Sequence, residues 1–197
     1  HMLRIATYNA SLNRDTEGAL VQTLGTLDAA GHGADHQARV IAEVLQRVAP
    51  DVLLINEFDY DAQGTALRLF DERYLRVSQN GAPTLRFRER YSAPVNTGVP
   101  SGVDLDRDGR IGGPNDALGF GLFPGQYGLA VYSKLPIRRA AVRSFRRFLW
   151  KDMPGAVLPP DWYSTAALAK LPKRVRVIAE PGRYIAGPSA IGVASVM

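Results

Sequence analysis

One junction constrains the fold most. Gln37 to Val48 places Val40, Ile41, Val44, Leu45 and Val48 on one helical face, Pro50 stops that pattern, and Val52 to Ile55 follows as an unbroken apolar run. A helical period giving way at once to such a run predicts an amphipathic helix leading directly into a strand buried on both faces. Similar patterns lie on either side. Leu3 to Tyr8 alternates apolar and polar residues and reads as a strand, and a polar, Gly-containing stretch follows to about His36. Leu67, Phe70 and Tyr74 predict a second helix, while Leu85, Phe87 and Tyr91 alternate with Arg86, Arg88 and Arg90 as a strand with an arginine-lined face. Gly128 to Ser133 is a further apolar strand, closed by Leu135-Pro136. Helices and strands interleave while hairpin-like pairs also occur, so the expectation is an α/β (α+β layered) fold with a mixed β-sheet and packed helices.

The totals exclude some classes. At 197 residues, 46% hydrophobic and 22% charged, the chain has ordinary globular composition and the length of one domain with or without an appendage. It has no cysteine, which removes disulfides and thiolate zinc sites and leaves the compartment, secreted, periplasmic or cytoplasmic, undecided. No apolar run approaches the ~20 residues of a membrane span. His1-Met2 reads as an expression-tag remnant. The formal charge of +5 favours anionic partners, and Arg138, Arg139, Arg143, Arg146, Arg147 and Lys151 concentrate it in one stretch, either a solvated face or a phosphate contact.

Three segments carry a resemblance. Leu3-Arg4-Ile5-Ala6-Thr7-Tyr8-Asn9 is a strand ending in an amide, and Ala49-Pro50-Asp51-Val52-Leu53-Leu54-Ile55-Asn56-Glu57 is one ending in a carboxylate. The third is Gln126-Tyr127-Gly128-Leu129-Ala130-Val131-Tyr132-Ser133-Lys134-Leu135-Pro136. In this order and spacing they resemble the endonuclease/exonuclease/phosphatase superfamily, over about residues 3–171. The resemblance implies half of a four-layer sandwich, a truncated one, and a metal-dependent phosphoesterase acting on phosphate esters, nucleic acid among them. It makes Glu57 the candidate ligand for Mg²⁺ or Mn²⁺, since Mg²⁺ takes one or two carboxylates and keeps several waters. It makes Asn9 the amide that holds the phosphate or a neighbouring catalytic group. The plain alternative for Glu57 is a solvated strand-end acid.

The family's second half supplies a Gly-Asp-x-Asn segment and a late Asp-His pair. This chain has no Gly-Asp-x-Asn, and its histidines are His1, His32 and His36. General acid–base help is worth roughly 10²- to 10⁴-fold, so weak activity or none is expected. His32 and His36 are four apart, but Gly31 and Gly33 favour a loop and a surface pair over a zinc site.

Within the long Gly-, Pro-, Asn- and Asp-rich stretch Ser92 to Pro124 lies Asp104-Leu105-Asp106-Arg107-Asp108-Gly109-Arg110-Ile111. Acids at positions 1, 3 and 5 with Gly at 6 match the start of a calcium loop, in which the Arg110 carbonyl would join. The usual Glu at position 12 is Asn115 here, followed by Asp116. The alternative is an acidic surface turn.

Residues 172–197 read differently. Glu180-Pro181-Gly182-Arg183-Tyr184 resembles a segment of the pyridoxal-phosphate-dependent ornithine/diaminopimelate decarboxylases, which implies Glu180 for the pyridine nitrogen and Gly182-Arg183 for the phosphate. No Schiff-base lysine motif precedes it, so the segment reads as a foreign or grafted strand–turn–strand tail. Two functions therefore stand: a phosphohydrolase, whole or impaired, or a chimeric or designed chain with a structural role. A truncated sheet would also leave an edge strand open to dimerisation.

Overall fold

The structure, a computed structural model, describes residues 2–148 and 152–155. Four strands, β1 (Ile5–Leu12), β2 (Val52–Phe58), β3 (Glu89–Tyr91) and β4 (Leu129–Ser133), form one sheet in the order β1-β2-β4-β3. β1 and β2 are parallel, and β4 runs antiparallel to both its neighbours, so the sheet is mixed. Three helices, α1 (Ala19–Gly25), α2 (His36–Val48) and α3 (Thr65–Phe70), accompany it, and α3 continues as a π-helical turn, Asp71–Leu75. A parallel pair needs a crossover, and the chain from β1 to β2 supplies it through α1 and α2.

The core lies between these helices and one face of the sheet. Leu12, Leu53, Ile55, Phe58, Ala130 and Tyr132 meet Leu20, Leu24, Ile41, Leu45, Leu67, Phe70 and Tyr74. Phe70 sits at its centre, with ring centroids 6.0 Å from Phe58, 6.0 Å from Tyr74 and 6.2 Å from Tyr132. The buried Tyr132 hydroxyl donates to the Leu67 carbonyl at 2.8 Å, which keeps that polar group satisfied.

Several expectations need correction. The helix at Gln37 to Val48 is present, beginning at His36 with Asp35 as its N-cap, but its inner face is Ala38, Ile41, Ala42, Leu45 and Gln46. Val40, Val44 and Val48 are exposed. Small alanines permit close approach, and Gln46 is drawn inward because its amide donates to the Leu75 and Val77 carbonyls at 2.9 and 2.7 Å while accepting from Gln79 N at 3.0 Å. The α1 helix falls in the polar, Gly-containing stretch before His36, held by buried Leu20 and Leu24.

β2 is closed on one face only among the described residues. Leu53 and Ile55 are fully buried, whereas Val52 and Leu54 are half-buried. The same open face carries Ile5, 65% exposed, opposite Val52, with Leu54 opposite Val131 and Asn56 opposite Leu129. The described residues thus form two layers, one of helices and one of sheet. The arginine-lined strand shrinks to Glu89–Tyr91. Leu85 and Phe87 do enter the core, but Arg90 also turns toward the helices, because the buried Asp71 carboxylate requires a cation.

Candidate functional site at the end of β1 and β2

β1 and β2 run side by side in register until Asn9 opposes Asn56, and the pairing then slips before Leu12 meets Phe58. Such bulges re-aim side chains and gather beside active sites. Ser11 within the bulge has φ +50°, and its N–H donates to Asn9 Oδ1 at 3.1 Å.

Glu57 follows Asn56 with φ +57°, a left-handed conformation rare for a residue with a Cβ. Strict alternation along β2 would send Glu57 to the core and Phe58 to the open face. The left-handed turn reverses this. Phe58 is 1% exposed, and the half-buried Glu57 reaches Asn13, whose Nδ2 donates to Oε2 at 3.3 Å. Tyr127 is a third non-glycine residue here with positive φ, at +55°. Left-handed residues of this kind cost on the order of 1–3 kcal/mol each and cluster at functional sites.

Behind Glu57 lies a buried polar cluster that pattern-reading along the sequence missed. Asp59, 6% exposed, accepts from Arg14 N at 2.7 Å and from Tyr127 N at 3.1 Å. Burial pushes its carboxyl up to about 6 against the pull of those two donors. Gln126, with no exposed surface, donates to Arg14 O at 2.7 Å and accepts from Leu122 N at 2.6 Å. The Arg14 guanidinium pairs with Asp35 at 3.1 Å. The only local signals were Asp59 two places after Glu57 and Gln126 inside Pro124-Gly125-Gln126-Tyr127-Gly128.

Asn9 and Glu57 therefore sit at one end of the sheet, joined by Asn13 and Asn56. Asn56 Nδ2 donates to Thr7 Oγ1 at 3.0 Å on the open face. This site can offer one carboxylate and several amides. A cleft of about 300 Å³ lies elsewhere, lined by Tyr60, Gln63, Arg68, Arg90, Tyr91 and Arg139, and includes neither Asn9 nor Glu57.

The acidic loop is well organised. Carboxylate oxygens of Asp104, Asp106 and Asp108 lie within 4.8 Å of one another. Asp104 Oδ2 accepts from Gly109 N at 3.0 Å, while Oδ1 is buried without a hydrogen-bond partner. Asp116 is buried beneath the loop. Burial opposes its charge, yet N–H groups of Leu105, Gly112 and Asp106 hold its carboxyl below the usual range. The three acids are thus brought together, and Asp116 serves as the acceptor that gathers the backbone between Leu105 and Gly112. Such a triad can bind a metal ion.

His32 and His36 are both exposed, on the turn before α2 and at its first residue. In the basic stretch, Arg139 lies 5.6 Å from the Tyr91 ring centre and 3.6 Å from Glu89, and Arg146 bonds Asn96 Oδ1 at 3.1 Å. Lys151 lies outside the described residues, as does the whole of 172–197 with Glu180, Gly182 and Arg183.

Among the described residues, no helix is long and apolar enough to cross a membrane. No curated protein and no solved structure matches the chain. The sequence profile of the Endonuclease/Exonuclease/phosphatase family matches residues 6–182. That span passes the boundary expected at 171 and takes in Glu180 and Gly182, while nothing supports a decarboxylase relation for the tail. With the mixed sheet, its packed helices and a match over most of its length, the chain belongs to the Endonuclease/Exonuclease/phosphatase family.

Proposed function

We propose that this domain is a phosphoesterase whose Glu57 holds Mg²⁺ or Mn²⁺ and whose Asn9 binds the phosphate or steadies its neighbour. The observation that carries the reading is the left-handed backbone at Glu57, which takes its carboxylate out of the core and sets it beside Asn13, at the end of the sheet where Asn9 meets Asn56. The donor set suits the ion. Glu57 Oε2 accepts one amide N–H, from Asn13, and no partner for Oε1 occurs among the described residues, which leaves carboxylate oxygen for an ion that takes one or two carboxylates and keeps several waters. When bound, such an ion offsets charge on the phosphate and steadies the attacking or leaving oxygen. The chain's own part is to orient the phosphate through Asn9 and to fix Glu57 through Asn13. Phosphate esters are the substrate class, with nucleic acid within it.

Histidines stand only at positions 1, 32 and 36 of these 197 residues, so the expected hydrolysis by this chain is slow. The test is therefore binding first. Mn²⁺ titration should show a site lost in Glu57→Ala, and any hydrolysis of a chromogenic phosphodiester should vanish in the same variant. Equal Mn²⁺ binding by wild type and Glu57→Ala would sink the reading. Rapid Mg²⁺-dependent hydrolysis would instead show that these 197 residues need no general-acid histidine.

A second, separate ion belongs to the Asp104, Asp106 and Asp108 loop, for which Ca²⁺ fits the oxygen-only donors and the Arg110 carbonyl, Asn115 and Asp116 are the further candidates. The observation favouring it is three carboxylates within 4.8 Å, one with a buried oxygen that accepts nothing.

A further inference from the structure

We propose that Asp59 and Gln126 are positioning residues for the Glu57 site, gripping the Arg14 backbone from both sides so that Asn13 is presented to the Glu57 carboxylate. The inference rests on the reading of Glu57 as the ion-holding group.

Arg14 has one backbone donor and one backbone acceptor, and each is taken by a buried side chain from elsewhere in the chain. Asp59 accepts the N–H at 2.7 Å, and Gln126 donates to the carbonyl at 2.7 Å. Each side chain uses its other polar atom on a single segment, Asp59 on Tyr127 N at 3.1 Å and Gln126 on Leu122 N at 2.6 Å. The segment before β4, the end of β2 and the loop after β1 are thereby locked together. Asn13 adjoins the gripped residue and carries the hydrogen bond to Glu57.

Nothing apolar does this work. From Asn13 to Gly18 no residue is buried, so the loop has no hydrophobic anchor of its own. Burying an amide and a carboxylate is costly unless every polar atom is satisfied, and a cluster serving stability alone is replaceable by apolar side chains. Here the side-chain oxygens of Asp59 and both polar atoms of Gln126 act on backbone groups of Arg14, Leu122 and Tyr127, and Arg14 adjoins the residue that bonds Glu57. Asn13 stands to Glu57 as an outer-layer partner to a metal ligand, a relation whose loss costs roughly 10- to 100-fold in metal affinity, and Asp59 and Gln126 hold the residue beside it.

The experiment uses the full chain with Asp59→Asn and Gln126→Met, each close in shape to the residue it replaces. The Asn13 side-chain amide is followed by ¹⁵N NMR, with Glu57→Ala as the reference for a released Asn13. Amide signals of β2 and β4 report whether the fold survives. In both variants the Asn13 signal should move to the Glu57→Ala position while the sheet signals hold, and Mn²⁺ affinity should fall about tenfold or more. Should Gln126→Met fail to fold, Asp59→Asn decides alone. An Asn13 signal that stays at its wild-type position in a folded variant overturns the proposal. If Mn²⁺ binding proves independent of Glu57, the functional reading falls while the Asn13 signal still decides the positioning role.

Discussion

Arg90 of β3 reaches Asp71 at 2.9 Å, and that carboxylate has no exposed surface. Arg76 holds the same group more fully, through Nε at 3.0 Å and Nη2 at 2.7 Å. A buried charge tolerates the loss of one of two partners far better than the loss of its main one. Arg90→Ala should therefore cost about 1 kcal/mol and Arg76→Ala about 3 kcal/mol in urea denaturation. The reverse order would show that Arg90, not Arg76, is the main partner of Asp71.

The backbone at Glu57 predicts a contest between stability and function. Glu57→Gly and Glu57→Ala both remove the carboxylate, so both should lose the proposed Mn²⁺ site. Only glycine relieves φ +57°. Glu57→Gly should thus be more stable than Glu57→Ala by about 1 kcal/mol. Equal melting temperatures would mean that the left-handed turn carries no strain.

Calcium should stabilise the acidic loop. An ion that binds the folded state alone adds ~2.7 kcal/mol at a hundredfold excess over Kd. Millimolar Ca²⁺ should raise Tm relative to chelator, and Asp106→Ala should abolish most of the rise. A melting curve indifferent to Ca²⁺ would make Asp104, Asp106 and Asp108 an acidic surface turn.

Two glycines in the long loop separate space from conformation. Gly98 has φ +72°, and a Cβ there would lie 1.7 Å from the Phe123 carbonyl oxygen. Gly102 has φ +78° with nothing within 4 Å. Gly102→Ala should cost only the left-handed penalty, ~1 kcal/mol, and Gly98→Ala at least twice that, because backbone must move. Similar losses would mean that Gly98 and Phe123 are not packed together as described.

The sequence by itself determined what short-range periodicity and local chemistry control. Gln37 to Val48 had to be a helix and Val52 onward a strand, because a 3.6-residue period and an unbroken apolar run each suit one element. The acidic loop was equally legible, since Asp104, Asp106, Asp108 and Gly109 converge through their own backbone turn. Glu57 was visible as a carboxylate ending an apolar strand.

Tertiary structure decided the rest. It chose Ala38, Ala42 and Gln46 over Val40, Val44 and Val48 as the inner face of α2, because Gln46 finds carbonyls at Leu75 and Val77 that no local pattern reveals. It turned Arg90 inward to Asp71 against the alternation of its neighbours. It brought Gln126 to Arg14 across a separation of 112 residues, and Asp59 to the other side of the same peptide. Such contacts are satisfied hydrogen bonds between distant segments, and burial makes them obligatory only after the chain has packed.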